Sequence, residues 1–583
     1  MLIHMRSKIL AITLSALCLS LLEATAARTR TLHVVTTGDV HGAWFDRPYV
    51  KGHTRTSLAS VSAYLKELRA GVGEDNVLLI DAGDCLQGDN APYYFNYVDT
   101  ASPHLFPLIA SYLGYDAVIV GNHDIETGHQ VYDRVRDQLE ALGIPFLAAN
   151  AVRPDGTPYF KPYTIVRKAG LKVAVVGFTN ANIKEWLGED LWSGMDFSDL
   201  LPCVQNTVDE VISLERPDVV IAVVHSGTGD GDGSVLESQG LDLQKSLKGV
   251  DLLVCAHDHR PAVEPSSDGP LLLNGGSRAG YVGSAQISVS TRLGRVTAKS
   301  VEGTVVKLDK DAVDPDFDAA FAQQYDDVKA FTLQPVGALG MPLRTREAYA
   351  GMSDYLNLIH TVQLVSTHSD ISFAAPLTFD GYVREGVLIY DDMFTIYPYE
   401  NQLFVLELTG AEIKSYLEFS YDRWIVTAGE HLLRISRHPD ARTNSPRWSF
   451  DERSYNFDSA AGICYEVDVT KPCGQRISIG NLADGRPFDE SATYRVAMTS
   501  YRANGGGSLL KLGAGLDKAQ ADSRIVARFP EIRELVYRYV SARPCVNADE
   551  VGEESVIGRW SFVPRELARP LLEQDLDLLF PPR

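Results

Sequence analysis

Residues 32–42 of the chain have the sequence LHVVTTGDVHG, an apolar run followed at once by a polar turn that carries Asp39 and His41. Residues 77–85, VLLIDAGDC, repeat this order and place Asp84 behind a second apolar run. Short runs rich in Val, Ile and Leu are typical of strands that are buried on both faces. The two stretches therefore predict buried strands with functional side chains at their carboxyl ends, which is the edge where open α/β sheets bind ligands.

Further along the chain, the same pattern recurs three times. The apolar runs and the polar residues behind them are 117–120 with Asn122 and His123, 219–224 with His225, and 250–255 with His257 and His259. In an extended segment, alternate residues point the same way, so Asp39 and His41 can reach one point together. The sequence thus predicts one site built from the ends of five strands.

The residue types at these turns are those that bind divalent metals. Carboxylate, imidazole and amide oxygen suit zinc, manganese, iron and similar ions, and the sequence does not choose among them. We expect two divalent metal ions, with Asp84 as a shared ligand between ions about 3.5–4 Å apart. Such a pair binds phosphoryl oxygens and activates water at neutral pH.

Composition limits the class of protein. Of the 583 residues, 45% are hydrophobic and 22% are charged, which is ordinary for a globular protein with two to four domains. The formal net charge is -22. Because proteins that grip nucleic-acid backbones are usually basic, we expect no nucleic-acid polymer as partner. An acidic protein that handles phosphate esters must supply positive charge locally, and metal ions can do so.

Residues 1–26 have the features of a secretory signal peptide: basic residues first, then an apolar run, then Ala-Thr-Ala. We therefore expect cleavage and export to the periplasm or the medium. The alternative is a lipid anchor at Cys18, but Leu17 stands where an anchor needs a small residue, and apolar residues continue after the cysteine. No later run is long enough to predict a transmembrane segment.

An exported protein can form disulfides. We expect Cys85 and Cys255 to be buried free thiols, because both lie inside the polar-turn motifs. A bridge, if one forms, is expected between two of Cys464, Cys473 and Cys545. The sequence does not determine the pairing or the oligomeric state.

Together, GDVHG, DAGDCLQGD, GNHDIE, VVHSG and AHDH, in this order, resemble the calcineurin-like metallophosphoesterase superfamily, and GDCLQG and GNHDIE point to its 5′-nucleotidase branch. The resemblance implies an α/β fold, a four-layer αββα sandwich of two mixed sheets. It also implies two ligand sets that share one residue: Asp39, His41, Asp84 and His259 for one metal, and Asp84, Asn122, His225 and His257 for the other.

The resemblance gives His123 the role of the catalytic histidine, which stabilises the transferring phosphoryl group and helps the leaving group. In that branch an acidic residue three positions later, often Asp, orients the imidazole. Glu126 occupies this position here and is one methylene longer. Asp124 is the other nearby carboxylate and a further catalytic candidate.

The second half resembles the C-terminal domain of 5′-nucleotidases, an α+β domain that binds substrate. The resemblance implies that Tyr399 and Tyr501 sandwich the nucleobase, with Asn504 and the following glycines beside the ring. Stacking on aromatic rings tolerates any base. Two departures stand out: residues 373–377, FAAPL, lack the arginine that 5′-mononucleotidases carry there, and Gly507 replaces a frequent Asp. The segments AAPL, YNFD and YRANGG resemble 2′,3′-cyclic-nucleotide phosphodiesterase/3′-nucleotidases more closely than 5′-mononucleotidases.

These observations predict an exported metal-dependent hydrolase of nucleotide phosphoesters, in which water activated by the metal pair attacks phosphorus. The alternatives are a UDP-sugar or other phospho- or thiosulfate-ester hydrolase, and a non-catalytic nucleotide-binding protein, which the intact ligand set disfavours. We expect five segments: signal peptide 1–26, metallophosphoesterase domain 27–310, linker helix and hinge 311–340, substrate-binding domain 341–545 and a tail 546–583. The hinge would let the second domain rotate.

Overall fold

A computed structural model describes residues 28–50, 52–233, 235–292, 295–439 and 446–581. The predicted signal peptide, with Cys18, lies outside the described residues. The chain divides into two compact units. The first comprises the residues up to Ile183 together with Asp190–Asp326, and the second comprises Lys184–Glu189 and the chain from Asp327 onward.

The first unit is an α/β domain. Its strands are β1 (Arg28–Thr37), β2 (Val77–Asp81), β3 (Ala117–Ile119), β4 (Phe146–Leu147), β5 (Ala151–Val152), β6 (Tyr163–Lys168), β7 (Leu171–Phe178), β8 (Asp196–Phe197), β9 (Val219–Val224), β10 (Leu252–Cys255), β11 (Ala262–Glu264), β12 (Leu271–Asn274), β13 (Tyr281–Arg292) and β14 (Arg295–Lys307). Its helices are Leu58–Val72, Asn90–Tyr93, Leu105–Leu113, Asn122–Glu126, His129–Ala141, Glu189–Trp192, Leu200–Glu215, Gly240–Ser246 and Pro315–Ala320, with Ile183–Trp186 and Ala322–Thr332 at the borders of the two units.

Two six-stranded mixed sheets organise this unit. The first has the order β14-β13-β1-β2-β3-β4, in which β1 to β4 are parallel. The second has the order β11-β12-β10-β9-β7-β6, and its four inner strands are parallel. The parallel strands include all five apolar runs that predicted strands. Parallel sheets are covered on both faces, so continuous apolar sequence is what these positions require.

Strand β9, VVIAVV, shows how the layers form, because every one of its residues is buried. Ile221 and Val223 pack into the core between the two sheets. Val220 and Val224 point the other way and pack against the helix Leu200–Glu215. The helix Leu58–Val72 packs against β2 of the first sheet. The predicted four-layer αββα arrangement is thus confirmed.

The second unit is an α+β domain. Its strands are β15 (Pro335–Leu339), β16 (Leu343–Arg344), β17 (Ile371–Ala374), β18 (Tyr382–Val383), β19 (Gly386–Ile389), β20 (Gln402–Thr409), β21 (Ile435–Pro439), β22 (Pro446–Phe450), β23 (Ser459–Ala461), β24 (Ile463–Asp468), β25 (Ile477–Leu482), β26 (Thr493–Thr499), β27 (Ile525–Glu531) and β28 (Gly558–Val563). Its helices are Asp354–Thr367, Tyr390–Ile396, Gly410–Trp424, Ser500–Ala503, Lys518–Ser523, Ile532–Ser541, Ala548–Val551, Glu554–Ile557 and Arg565–Leu579.

A five-stranded sheet in the order β23-β17-β26-β20-β27 forms the centre of the second unit. Behind β20, the helix Gly410–Trp424 begins with a capping box, since the Thr409 hydroxyl accepts from the Glu412 amide and the Glu412 carboxylate accepts from the Thr409 amide. The buried side of this helix, with Tyr421 and Trp424, enters the main apolar core of the unit.

The C-terminal segment is part of this core. Strand β28 pairs in parallel with β24, and its alternate residues Trp560 and Phe562 lie in the same cluster as Trp424. Asp575, on the last helix, is fully buried and accepts hydrogen bonds of 2.8 Å from the amides of Leu432 and Leu433. Residues 546–581 thus complete the second unit, whereas the sequence analysis set them apart as a tail.

All six cysteines in the described part of the chain are free thiols. Cys85 and Cys255 are buried, as predicted, and burial raises the pKa of both thiols. The bridge expected among Cys464, Cys473 and Cys545 does not form in the described structure. Among the described residues, no helix combines the length and the apolar character that crossing a bilayer requires.

Because Phe562 fills the core of the second unit, we expect Phe562→Ala to lower the free energy of unfolding of this unit by about 3–5 kcal/mol. Arg559→Ala, on the same strand, removes an exposed side chain and should change it by no more than about 0.5 kcal/mol. Urea titration followed by tryptophan fluorescence measures both. Equal, small effects would mean that β28 does not contribute to the core.

Candidate dinuclear metal site and tyrosine cluster

Five parallel strands deliver the seven predicted metal ligands to one edge of the first unit. Asp39 and His41 follow β1, Asp84 follows β2, Asn122 follows β3, His225 follows β9, and His257 and His259 follow β10. Strands β1, β2 and β3 are parallel neighbours in the first sheet, and β9 and β10 are parallel neighbours in the second. Their carboxyl ends therefore meet, and the side chains form two clusters.

The first cluster contains Asp39, His41 and His259, whose ligand atoms lie within 4.8 Å of one another. The two Nε2 atoms of His41 and His259 are 3.0 Å apart. Asp39 Oδ1 lies 3.6 Å from Nε2 of His259 and 3.9 Å from Nε2 of His41. The three side chains thus aim one oxygen and two nitrogens at a common point, which is the arrangement of a metal site.

The second cluster contains Asp84, His225 and His257, together with Asn122. Asp84 Oδ2 is 3.0 Å from Nε2 of His225. The Asn122 amide oxygen lies 3.1 Å from the same nitrogen and 2.9 Å from Nδ1 of His257. Asp84 Oδ2 is also 4.0 Å from Nε2 of His41, so this carboxylate reaches both clusters. A carboxylate in this position could serve as a ligand to two metal ions.

The donor set fits a pair of divalent cations. Asp39 Oδ1 is buried and has no hydrogen-bond donor. Burial raises the pKa of the Asp39 carboxyl to about 8, so an ionised carboxylate there requires a positive charge beside it. Burial lowers the pKa of His257 to about 3 and that of His259 to about 4, and these imidazoles are neutral at neutral pH. Neutral nitrogen and carboxylate oxygen suit zinc, manganese and similar ions.

Neighbouring groups hold the ligands in place. Nδ1 of His225 lies 2.8 Å from the carbonyl oxygen of Ala82 and donates to it, so Nε2, which faces Asp84 and Asn122, is the nitrogen that a metal ion would take in place of a proton. Asp39 Oδ2 accepts from the amide of His257 at 2.8 Å, and Asp84 Oδ1 accepts from the amide of His123 at 2.8 Å. Each carboxylate therefore keeps one oxygen for the backbone and turns the other towards the clusters.

The backbone at the site is strained. Five of the seven predicted ligands have positive φ angles, a conformation that residues with a Cβ rarely adopt: Asp39 (48°), His41 (45°), Asp84 (63°), His257 (79°) and His259 (60°). Such angles persist only where the surrounding structure enforces them, and they concentrate at functional sites. Gly121 lies so close to Asp84 that a side chain would not fit, since a Cβ there would lie 2.1 Å from Asp84 Oδ1.

The side chain of His123 lies beside the first cluster and is 30% exposed. Its ring centroid is 5.3 Å from that of His41, and its Nδ1 donates to Oε2 of Glu126 at 2.6 Å. The Gln87 amide donates to the same carboxylate oxygen. Burial lowers the pKa of His123, but the carboxylates of Asp84 and Glu126 outweigh it and raise the pKa to about 9. The structure thus places Glu126 where the predicted orienting carboxylate belongs.

We predicted Asp124 as a further catalytic candidate, but the structure shows its carboxylate bound to the backbone. Its side chain is fully buried, and all four of its contacts are to backbone amides. Oδ1 accepts from Cys85 and Leu86, and Oδ2 accepts from Asp84 and Gly121 at 3.0 and 2.8 Å. It therefore joins the turn after β2 to the helix that carries His123.

One charged residue at the site was missed by the sequence analysis. Arg278 follows β12, which is parallel to β10, so the same pattern of apolar run and polar turn applied to residues 271–278 would have indicated it. Its amide donates to the Asp39 carbonyl at 2.8 Å, and its φ is 52°. Burial is the main cause of the lowered pKa of His259, and the charge of Arg278 adds to it.

In the second unit, the predicted base-binding tyrosines are joined by a third. The Tyr455 ring lies 6.2 Å from that of Tyr399 and 6.4 Å from that of Tyr501, at angles of 80° and 86°. Asn504, a predicted substrate ligand, is instead buried, and its amide donates to the carbonyl of Trp186 at 3.3 Å. Gly506 packs against Tyr501, because a Cβ there would lie 2.5 Å from the ring.

Two family models of known proteins match the chain, one in each half. Residues 32–261 match the family model of calcineurin-like phosphoesterases, and residues 332–512 match that of the 5′-nucleotidase C-terminal domain. The chain is 24% identical to the 2′,3′-cyclic-nucleotide 2′-phosphodiesterase/3′-nucleotidase of Yersinia enterocolitica over 91% of this chain and 88% of the relative. It is 25% identical to a 5′-nucleotidase of Diplobatis ommata over 91% and 92% of the two chains.

A longer relative is the trifunctional nucleotide phosphoesterase YfkN of Bacillus subtilis, which is 24% identical over 93% of this chain. The chain spans only 39% of that relative's length. Among solved structures, a Staphylococcus aureus protein assigned as a 5′-nucleotidase has a TM-score of 0.73 at 20% identity and covers 91% of this chain and 99% of its own. A Thermus thermophilus 5′-nucleotidase precursor has a TM-score of 0.60 at 20% identity, with coverage of 92% and 99%.

The solved structures agree in fold, and the two family models identify the two halves. The chain therefore belongs to the metallophosphoesterases of the 5′-nucleotidase type, joins a calcineurin-like phosphoesterase domain to a 5′-nucleotidase C-terminal domain, and is a phosphoester hydrolase.

Proposed function

We propose that the protein is an exported hydrolase of nucleotide phosphoesters that uses two divalent metal ions. The observation that carries this proposal is the convergence of seven donor groups on two clusters that share Asp84. One metal would take Asp39, His41, Asp84 and His259, and the other Asp84, Asn122, His225 and His257. Export rests on the signal-like sequence of residues 1–26.

Bound divalent ions supply Lewis acidity, which polarises phosphoryl oxygens and lowers the pKa of water. The protein's own groups arrange the reaction around that chemistry. Asp84 holds the two ligand sets together, and the backbone around it fixes its direction. The imidazole of His123 is partly exposed beside the first cluster, where it can donate a hydrogen bond to a phosphoryl oxygen or a proton to the leaving oxygen.

Glu126 keeps His123 in the state that this role needs. Because Glu126 accepts from Nδ1, the other nitrogen, Nε2, faces away from the pair and is the atom that can meet substrate. Gln87 donates to the same carboxylate and fixes its orientation. Arg278 adds a cation at the strand ends, where a chain with a net charge of -22 needs one to attract an anionic substrate.

The substrate class rests on the tyrosines of the second unit and on the names of relatives. Tyr399 and Tyr501 offer stacking surfaces for a nucleobase, which favours nucleotides over simple phosphate esters. The relatives named above act on 5′-nucleotides, on 3′-nucleotides or on 2′,3′-cyclic nucleotides. The motifs AAPL, YNFD and YRANGG favour the last two, so we propose that cyclic or 3′-nucleotides are preferred.

The direct test is release of phosphate and nucleoside by the purified mature protein. The metal-stripped protein is reloaded separately with manganese, zinc or cobalt and given 5′-AMP, 3′-AMP, 2′,3′-cyclic AMP and UDP-glucose. We expect metal-dependent turnover of at least one nucleotide, with 2′,3′-cyclic AMP or 3′-AMP ahead of 5′-AMP. Turnover of UDP-glucose alone would favour the nucleotide-sugar alternative. If the protein binds two metal ions but hydrolyses none of these compounds, the proposed substrate class is wrong.

Loss of the shared carboxylate should remove both metal and activity. We expect Asp84→Asn to bind at most one metal ion per chain and to lower kcat at least about 1,000-fold, because both ligand sets lose a charged oxygen. Asp75→Asn, an exposed carboxylate at the opposite end of β2, is the matched control and should behave as wild type. Elemental analysis gives the metal content. Two tightly bound ions and near-normal turnover in Asp84→Asn would contradict the shared-ligand role.

Replacing the proposed catalytic imidazole should separate chemistry from metal binding. We expect His123→Ala to keep both metal ions and to lower kcat by about 100- to 10,000-fold, the range for a positioned acid–base group. Glu126→Gln should lower kcat less, since an acceptor for Nδ1 remains. His129→Ala, a partly exposed histidine on the next helix, is the control and should leave kcat unchanged. Wild-type kcat in His123→Ala would remove this residue from the mechanism.

A further inference from the structure

The three tyrosines of the second unit have a geometry that goes beyond a two-ring sandwich. The Tyr455 ring is nearly perpendicular to both the Tyr399 and the Tyr501 rings, each about 6 Å away. A flat ring stacked on either of those two would therefore meet Tyr455 close to a right angle. Edge-to-face contact at this distance is a favourable geometry for aromatic groups. All three side chains are partly exposed.

A buried arginine fixes Tyr455 relative to the loop that supports Tyr501. Arg502 is 3% exposed, and its guanidinium uses all five N–H donors. Nε and Nη2 bind the two carboxylate oxygens of Asp458 at 3.0 and 2.9 Å. Nη2 also donates to the carbonyl of Tyr455 at 2.7 Å, and Nη1 donates to the carbonyl of Gly506 at 2.7 Å and to Asn456 Oδ1 at 3.2 Å.

The carbonyl contacts of Arg502 connect two of the rings. Gly506 lies against the Tyr501 ring, so the guanidinium links the backbone of Tyr455 to the surface that supports Tyr501. Arg502 also follows Tyr501 directly in the chain, and its Cζ is 5.4 Å from the centroid of that ring. A rigid planar fork with five donors can hold both loops at once, whereas a lysine ammonium offers three donors from a single point.

A second buried arginine holds the segment before Tyr399. Arg533 is 1% exposed, and it donates from Nε to the carbonyl of Tyr397 at 2.9 Å and from Nη2 to the carbonyl of Pro398 at 3.2 Å. The two arginine-bound segments are tied together, because the amide of Gln402 donates to the hydroxyl of Ser500 at 3.1 Å. Each of the three tyrosines is therefore adjacent to a fixed backbone segment.

Gly507 is explained by the same arginine. Its φ is +69°, and a Cβ there would lie 2.4 Å from both Nη1 of Arg502 and Oδ1 of Asn456. Any side chain at this position would displace the guanidinium.

We propose that Tyr455 is a third nucleobase-contacting residue and that Arg502 is a positioning residue that sets Tyr455 against Tyr501. The inference rests on the proposed nucleotide substrate. A buried ion pair contributes little stability compared with apolar residues of similar volume, so stability alone does not account for Arg502 and Asp458. A preformed cluster lowers the entropy cost of ordering side chains around a ligand, and this gives the network a function in binding.

The first test is calorimetric titration of the full mature chain with adenosine, which needs no catalysis. We expect Tyr455→Ala to raise the dissociation constant about 3- to 10-fold, the range for loss of one aromatic contact, and Tyr455→Phe to bind as wild type. Tyr382→Ala, an exposed tyrosine on β18 of the same unit, is the matched control and should bind as wild type.

The second test asks whether Arg502 acts through the cluster. In Arg502→Lys, we expect adenosine to bind more weakly and KM for the preferred nucleotide to rise about 3- to 10-fold with kcat nearly constant. The ratio of kcat/KM for that nucleotide to kcat/KM for a phosphoester without a base, such as ribose 5-phosphate, should fall by a similar factor. A merely structural role would lower the melting temperature and leave this ratio unchanged.

The outcomes separate the inference from the proposed function. If Tyr399→Ala and Tyr501→Ala weaken adenosine binding but Tyr455→Ala and Arg502→Lys do not, the inference is wrong and the base site stands. If none of the four variants changes binding, the base site itself is misplaced and the proposed substrate class loses its support. Tyr455→Ala alters only a partly exposed side chain, so the test holds even if Arg502→Lys does not fold.

Discussion

The structure of the first unit depends on one electrostatic constraint: carboxylates and imidazoles are buried together at the carboxyl edge of two sheets. Asp39 and Asp84 are almost fully buried, and burial alone would favour their neutral forms. The strands, the left-handed turns and the glycines all serve to bring these groups within reach of one another. The proposed pair of cations would resolve the constraint and at the same time provide charge for an anionic substrate.

This constraint explains why strain and second contacts concentrate at the site. A ligand with a positive φ costs free energy, and the surrounding hydrogen bonds must hold it there. Asp124 is the clearest case, since its carboxylate accepts four backbone N–H groups from the turns that carry Asp84 and Asn122. In the second unit, Arg502 has a comparable structural role. It is a buried charged group that donates hydrogen bonds to backbone carbonyls, whereas Asp124 accepts them from backbone amides. In both units, a buried ionic side chain holds the loops that carry the proposed site residues.

Much of the fold could be predicted from the sequence, because buried parallel strands leave continuous apolar runs. The runs at 32–37 and 77–81 and their polar turns gave both the strands and the first ligands, and the order of the motifs indicated the fold family. The packing of residues 546–581 into the second unit could not be predicted in this way. Trp560 and Phe562 occupy a strand whose partner, β24, is almost 100 residues earlier, and local periodicity carries no information about such long-range pairing.

The roles of individual site residues were harder to predict for a related reason. Asp124 and Glu126 are both acidic and two residues apart, and only the three-dimensional structure shows that one binds backbone amides and the other binds His123. Tyr455 lies in a short 3₁₀ helix, Ser454–Asn456, whose sequence has no stacking signature, and only the structure shows its ring beside those of Tyr399 and Tyr501. Asn504 is a similar case, because a polar residue beside an aromatic motif can face substrate or backbone equally well in sequence, and only the structure shows that its amide donates to the carbonyl of Trp186.

The most direct measurement of the central claim is the anomalous scattering of crystals of the mature protein loaded with manganese or zinc, collected at the metal absorption edge. Two peaks about 3.5–4 Å apart, one beside Asp39, His41 and His259, the other beside Asn122, His225 and His257, and Asp84 between them, are the predicted result. A single peak, or peaks away from the ends of β1, β2, β3, β9 and β10, would contradict a two-metal site built on this edge.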